Sequence, residues 1–413
     1  MTAALLLLAL YLQTSGTLIP SQEPGWPQWR GPRRDGISDE KGLLPSWPPE
    51  GPRLLWKTEG LGQGWSSPIV TGGTIYITGD VDKKELRIFA LDLDGKPKWT
   101  AVNGTAWTRQ YPGARASCVV DRGSLYHLNA HGRVACLDAA TGKETWAVDI
   151  LERFEGQVIL WGLSECLLVD GDRVIVTPGG KKAAMAALDR KTGETRWASE
   201  PIEKSEANYG SPILFELGGR RQLATFTART AFGVDAGTGR LLWKQPRPSE
   251  YIAICTTPVF CGDGVYVTTP GKSGGTRYRL VAEGDGVRAE AIWDAPVDTL
   301  QGGAVLVDGT LFGSGYEGFK GWAALDIATG KPRATTRELA HGSVIAADGR
   351  LYCLSERGEM ALVKPSADGF EFVSRFPLFR ERKVDAWAQP VICDGRLYLR
   401  YHDALSCYDI RAK

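Results

Sequence analysis

Apolar residues in this chain come in short runs broken by Gly-Gly, Asp-Gly and Gly-Asp pairs, and the runs return in the same order along almost the whole length. Two examples are Pro68-Ile69-Val70-Thr71-Gly72-Gly73-Thr74-Ile75-Tyr76-Ile77 and Pro390-Val391-Ile392-Cys393-Asp394-Gly395-Arg396-Leu397-Tyr398-Leu399. Each reads as a β-hairpin, because glycine takes the positive φ that a tight turn demands. A second phrase follows five of the hairpins: Ala-Leu-Asp-x-x-Thr-Gly-Lys-x-x-Trp, with small variations, around Asp92, Asp138, Asp189, Asp235 and Asp326. One strand ends at Leu-Asp, Thr-Gly turns the chain, and a last strand carries the tryptophan. The phrase recurs at intervals of about 46 residues, with one interval about twice as long, which implies a degraded copy between Asp235 and Asp326.

The hairpins are anchored at Pro68, Cys118, Cys166, Pro212, Pro258, Ala304, Ser343 and Pro390, which marks eight units. Four short antiparallel strands per unit is the make-up of a propeller blade. The fold predicted is therefore all-β, an eight-bladed β-propeller over residues 53–413. A seven-blade ring, without the irregular third or seventh unit, is the competing count. The eighth unit ends at Ile410 without a fourth strand, whereas Leu54-Leu55-Trp56-Lys57 is a fourth strand without a unit. The N-terminal strand is expected to complete the last blade, which leaves no sheet edge free to template aggregation. The phrase tryptophans (Trp99, Trp146, Trp197, Trp243) and Trp293 are expected to fill the gaps between blades, and the phrase aspartates to order their own turns.

The ends refine this. Ala3 to Leu12 is an apolar run too short to span a bilayer. Residues 1–24 therefore read as a secretory signal peptide cut within residues 16–25, although the run is preceded by no Lys or Arg. An uncleaved anchor is the alternative. Residues 25–52 hold Trp26, Trp29 and Trp47 among Pro and Gly, and are expected to lie extended against the ring. Export places the protein in the periplasm or outside the cell, with no membrane span left after cleavage. Lys plus Arg is 49 and Asp plus Glu 48, a net charge of +1 with no basic stripe, so nucleic acid is not an expected partner. The eight cysteines show no C-x-x-C spacing, so neither a zinc nor a redox motif is present. If the cysteines bridge, Cys393 with Cys407 within unit eight, and Cys118 with Cys136 within unit two, are the geometrically cheapest pairs.

The repeated phrase with its Pro-Ile/Val hairpin resembles the PQQ-like (pyrroloquinoline quinone) repeat. That family includes PQQ-dependent alcohol dehydrogenases and the outer-membrane assembly factor BamB. The opening Trp26-Pro-Gln-Trp-Arg-Gly-Pro with Gly36-Ile37-Ser38 is similar to the start of exported bacterial PQQ-binding-like propeller proteins. For the dehydrogenases the resemblance implies a quinone on the axis, sandwiched by a vicinal Cys-Cys disulfide and a tryptophan, with Ca²⁺ held by a carboxylate and an Asn. This sequence departs from that pattern, since no two of its cysteines are adjacent and no C-x-x-C-H is present. Asn208 before the fourth hairpin and Trp161 before the third match by residue type only.

No H-E-x-x-H or G-x-S-x-G occurs, so no catalytic or metal-binding residue is nominated. What remains is the rim where the innermost strands begin. Trp65, Arg115, Trp161, Asn208, Tyr209, Tyr251, Gln301, His341, Trp387 and Gln389 enter those strands. Aromatic, amide and guanidinium groups around a concave opening suit binding of a ligand or polypeptide. The expectation is a non-catalytic scaffold of the cell envelope, binding a polypeptide or small ligand and needing no cofactor. A PQQ- and Ca²⁺-dependent alcohol or sugar dehydrogenase is the alternative, and a carbohydrate-binding propeller the second.

Overall fold

The computed structural model describes residues 15–204, 206–247, 253–366 and 369–412; most of the expected leader (1–14) and Tyr251 lie outside them. The described strands form eight sheets, each built on four antiparallel strands. Blade 1 contains Ile69–Thr71, Thr74–Val81, Glu85–Leu91 and Pro97–Thr105, from the axis outward. Blades 2 to 7 repeat this order, and their innermost strands are Val119–Asp121, Leu168–Asp170, Ile213–Leu217, Val259–Phe260, Val305–Val307 and Gly342–Ala347. The irregular third and seventh units are both full blades, so the ring is eight-bladed. The only helix among the described residues is Ile150–Phe154, capped by Asp149, whose Oδ1 accepts the N–H groups of Leu151 and Glu152. No described helix is long and apolar enough to cross a membrane.

Blade 8 supplies three strands of its own, Val391–Cys393, Arg396–Tyr401 and Ala404–Asp409, and borrows its fourth. Arg53–Thr58 pairs antiparallel with Ala404–Asp409, setting Trp56 opposite Cys407 and Lys57 opposite Ser406.

One contact recurs at several of the seams between neighbouring blades. Trp99 of blade 1 lies on Gly142 in the Thr-Gly turn of blade 2, and its Nε1 donates to Ala139 O at 3.2 Å. Trp146 meets Gly193, Trp197 meets Gly239 and Trp293 meets Gly330 in the same way, each indole donating to a backbone carbonyl of the next blade. Glycine is required in that turn twice over: φ is +73° at Gly142, and a Cβ there would sit 2.5 Å from the Trp99 ring. Trp243 breaks the series. Blade 5 is the degraded copy and offers no Thr-Gly turn, so the buried Trp243 Nε1 has no partner. The phrase aspartates order their turns as expected: Asp326 Oδ1 accepts from Ala328 N, Thr329 N and Thr329 Oγ1. All eight cysteines are free thiols.

The N-terminal segment enters the ring at its axis. Thr17–Leu18 adds a strand beside Phe215 and Glu216 of blade 4, and Ile37–Ser38 pairs parallel with Ala346 and Ala347 of blade 7. Trp26 exchanges two hydrogen bonds with Val70 of blade 1, and Pro27 O accepts from Val120 N of blade 2. Arg30 donates to Gly302 O and Ala304 O at blade 6, and Arg34 to Cys166 O and Leu167 O at blade 3. Gly16 N donates to Gly262 O of blade 5, and Glu40 accepts from Asp394 N and Gly395 N of blade 8. Residues 16–40 thus reach all eight blades from inside. The contacts begin within the stretch expected to be leader.

A paired substitution isolates the tryptophan–glycine contact at the closing seam. At Gly95 a Cβ would meet Trp56 at 2.6 Å, whereas at Gly123 nothing lies within 4 Å, and both have φ near +75°. Gly123→Ala should cost about 1 kcal/mol, the left-handed φ penalty alone. Gly95→Ala should cost about 1–3 kcal/mol more, because the Trp56 indole and the Thr58 hydroxyl, also 2.6 Å from the new Cβ, must move. Denaturant unfolding of both variants checks this, and equal losses would mean the contact carries no weight.

Candidate functional site

Each innermost strand starts at the same face of the ring, so the linkers that feed those strands converge around one mouth. The loops joining the second and third strands reach the same face. Together they enclose a cavity of about 260 Å³. Its aromatic walls are Trp65 from the linker into blade 1, Trp161 into blade 3, Tyr209 into blade 4 and Trp387 into blade 8. Trp65 and Trp387 have ring centroids 5.1 Å apart, and Trp161 and Tyr209 5.8 Å, within the range of favourable aromatic pairs. The bottom is closed by Trp29, whose Nε1 donates to Thr257 Oγ1 at 3.0 Å. Buried arginines hold that base in place. Arg30 donates to carbonyls of blade 6 and Arg34 to carbonyls of blade 3, and burial lowers both pKa values to about 10, which leaves them cationic at neutral pH.

Arg115 is the one charged side chain among the described lining residues. Its guanidinium lies 5.7 Å from the Trp65 ring and 5.4 Å from the Trp107 ring. Burial lowers its pKa to about 10, against the opposing pull of Asp80. Its Nη2 donates to Tyr111 O at 2.5 Å, while its buried Nη1 has no partner. A cation held between two aromatic faces loses part of its hydration and regains it as cation–π attraction, about 0.5–2 kcal/mol.

On the far wall, Tyr316 comes from the loop between the second and third strands of blade 6. The loop is shaped around one carboxylate. Asp298 is fully buried; its Oδ1 accepts from Tyr316 N and Phe319 N, and its Oδ2 from Glu317 N, Gly318 N and Lys272 N. Burial opposes its ionisation, but the N–H groups of Gly318, Phe319, Glu317 and Tyr316 outweigh burial and hold its pKa below the usual carboxylate value.

Of the nominated residues, Trp65, Arg115, Trp161, Tyr209, Gln301 and Trp387 line the cavity. Asn208, Gln389 and His341 do not. Asn208 is buried: its Nδ2 donates to Thr227 O, and its Oδ1 accepts from Tyr209 N and Ile254 N, so it ties the linkers into blades 4 and 5 together. Gln389 is buried too, and its Nε2 donates to Gly302 O at 2.6 Å. His341 stands behind Tyr316, ring centroids 5.1 Å apart, with its Nε2 2.8 Å from Glu356 Oε2. Sequence reading missed Trp29, Tyr111, Tyr316 and Cys255 in the lining. Tyr111 had a usable cue, since it shares a linker with Arg115. Trp29 had none, because nothing in the repeat says where the N-terminal segment enters.

A sequence profile of the family described as outer membrane protein assembly factor BamB matches residues 103–331, more than half of the chain. The chain belongs to this PQQ-like repeat family. Within it, the chain is 27% identical to a 1-butanol dehydrogenase (quinone) of Thauera butanivorans over 162 residues, 36% of this chain and 25% of that protein. It is 30% identical to a lanthanide-dependent methanol dehydrogenase of Methylacidiphilum fumariolicum over 158 residues, 35% of this chain and 25% of that one. The matches thus span about a quarter of the length of these curated relatives. The crystal structure of BamB from Moraxella catarrhalis superposes with a TM-score of 0.62 at 14% identity, over 87% of this chain and 98% of that one. At that identity the likeness is one of fold.

The residues present do not fit a metal-assisted quinone site of the PQQ-like repeat dehydrogenases. Ca²⁺ and lanthanide ions need several oxygen ligands, carboxylates foremost. The described lining residues include no Asp or Glu. Among the described residues no three His, Cys, Asp or Glu side chains come together to hold a metal. No reaction step through a quinone is therefore derived.

The Asp298 cradle yields a pH prediction. A carboxyl whose folded pKa lies below its unfolded value stabilises fully above the unfolded pKa, near pH 4, and that stability is lost as pH falls through the folded pKa. Asp298→Asn should cost about 2–4 kcal/mol at pH 7, since it removes a charge that five N–H donors address. The gap between wild type and variant should narrow steadily below pH 4. Guanidinium unfolding at pH 7 and pH 3 measures it, and a gap unchanged by acid would remove the charge from this account.

Proposed function

We propose that this protein is an exported, non-catalytic binding scaffold of the cell envelope. The mouth cavity is its recognition site, receiving an apolar or aromatic group of a polypeptide or small ligand. One observation carries the reading: a cavity of about 260 Å³ walled by tryptophan and tyrosine, with a single cation and no carboxylate among its described lining residues. Trp, Tyr and Arg are the residues in which binding energy concentrates at association surfaces, because each offers large, stiff contact area around a desolvated pocket. General acid–base work needs a titratable group near neutral pH within reach of substrate, and Arg115 at about 10 is not one. Membership of a family described as outer membrane assembly factor BamB supports a protein-binding role at the envelope.

The similarity to quinone-dependent dehydrogenases favours a second reading, a reduced quinoprotein oxidising an alcohol or sugar. The two separate by experiment. Purified protein incubated with PQQ and Ca²⁺, or with PQQ and a lanthanide, should give no dye-linked oxidation of primary alcohols or aldoses. Turnover above the protein-free blank would favour the quinoprotein. Immobilised protein should capture a defined envelope component, and Trp161→Ala and Trp387→Ala should each lower capture about tenfold or more, the scale of a hot-spot loss. Leu54→Ala, on the exposed outer strand of blade 8, should leave capture unchanged. Equal capture by all three variants would move the recognition site away from the mouth.

A further inference from the structure

Tyr111 is placed unlike any other residue of the mouth. It belongs to the linker into blade 2, yet its ring meets Trp161 of the linker into blade 3, centroids 6.2 Å apart, and Trp387 of the linker into blade 8, centroids 5.5 Å apart. Blades 3 and 8 are three positions apart around the ring, so the Tyr111 side chain bridges the stretches of wall formed by the linkers into blades 3 and 8. It is 50% exposed while it also lines the cavity, so one side faces solvent and the other the interior.

The backbone beneath it is strained. Tyr111 has φ +51°, in the left-handed region that bulky residues rarely enter. Such strain persists only where surrounding contacts over-determine it, and it collects at ligand clamps and switches. Three side-chain hydrogen bonds hold residues 110 and 111. Arg115 Nη2 donates to Tyr111 O at 2.5 Å, Trp107 Nε1 to Gln110 O at 3.0 Å, and Trp161 Nε1 to Gln110 Oε1 at 3.1 Å.

The base of the loop is fixed on both sides. Trp107 is buried with its N–H on Asp80 Oδ2, and Gly113 N donates to Trp107 O. Gly113 has φ +132°, and a Cβ there would lie 3.0 Å from Gly64 Cα. Only the short, largely exposed run 108–112 between these anchors is left to move, which makes it a low-stability element on a rigid frame.

We propose that Tyr111 is the specificity gate of the mouth cavity, a bar that sets the size and shape of what enters, with Arg115 as its latch. This rests on the cavity being the recognition site. Arg115 acts through Tyr111 and is a positioning residue. While the latch holds, slim groups pass beside the bar and bulky ones do not. When the carbonyl of Tyr111 is released, its strained φ relaxes and the bar swings out.

The cavity holds its own reporter. Cys255 lines it and is half-buried, whereas Cys261 is half-buried outside it and serves as an internal reference. Full-length protein is labelled at pH 8.5 with slim methyl methanethiosulfonate or with bulky fluorescein maleimide, and each site is followed by mass spectrometry. Tyr111→Gly, which suits the positive φ, should raise maleimide labelling of Cys255 about tenfold or more relative to Cys261, with methanethiosulfonate labelling changed far less. Tyr111→Trp should slow it, and Arg115→Gln should raise it severalfold. An unchanged Cys255-to-Cys261 ratio across the variants would overturn the gate, as would a rise in both reagents alike. Labelling needs no ligand, so a working gate beside unimpaired capture by Trp161→Ala would sink the binding assignment and leave the gate standing.

Discussion

Everything in this ring depends on one strand that precedes the first blade and completes the last. Arg53–Thr58 leaves the N-terminal segment and pairs with Ala404–Asp409, so residues about 350 positions apart share a ladder. The same strand also serves the next blade: Trp56 Nε1 donates to Leu93 O at 2.8 Å, and its ring lies on Gly95 of blade 1. The seam between blades 8 and 1 is therefore held by the contact that joins blades 1 to 2, 2 to 3, 3 to 4 and 5 to 6, reproduced across the closure. Arg400 fastens it a second time. It is fully buried in blade 8, and its Nη1 donates to Ser66 Oγ and Thr78 O of blade 1. Without that seam the linkers would have no common centre and the mouth no shape.

Closure and site are also one piece of chain. The segment that ends in the closing strand begins inside the bore, and on the way it places Trp29 under the cavity. Taking a guanidinium out of water costs several kcal/mol, so two buried arginines without a bonded carboxylate need many acceptors. Arg30 finds three carbonyls, of Gly302, Ala304 and Asp35, and Arg34 finds two with Gln28 Oε1 as a third. These bonds pull on blades 3 and 6 from the centre. The N-terminal segment therefore acts as an axle: its charge is offset only while the ring is closed around it, and the ring has a solid base only while it is present. Trp47 completes the exit, packed on Tyr352 and Phe376 of blade 7 before the chain turns outward to close blade 8.

The ring was readable in the sequence because its physics repeats. A hairpin glycine, a turn aspartate and a docking tryptophan each answer a local need, and eight hairpins with five copies of the phrase make the period audible above substitution. The degraded copy was visible as a gap, and the structure shows its consequence in the orphaned Trp243 Nε1. The site was readable in part. Position before an innermost strand reports nearness to the mouth, which found Trp65, Arg115, Trp161, Tyr209, Gln301 and Trp387. It does not report side-chain direction. Asn208 and Gln389 sit at the right height but turn into the walls, where backbone groups of adjacent blades need a partner. Tyr316 was hidden because it arrives by the other class of loop, and Trp29 because the entry of a non-repeating segment has no period to betray it.

A propeller lends itself to this division of labour. Its walls are stabilised between blades, by contacts far from the axis, so the residues at the mouth carry little of the fold and are free to differ from unit to unit. Here that freedom has gone to aromatic surface. A wall of Trp and Tyr binds by area and shape, and needs neither a titrating group nor a metal to do so. Under the proposed binding role, selectivity comes from access and geometry rather than from charge pairs, since the cavity offers one guanidinium that already donates to Tyr111 O. The strain stored at Tyr111 and the five-donor cradle at Asp298 belong to the same logic: both spend backbone conformation to fix where an aromatic ring stands. In a site that recognises by shape, holding the rings in place is the chemistry.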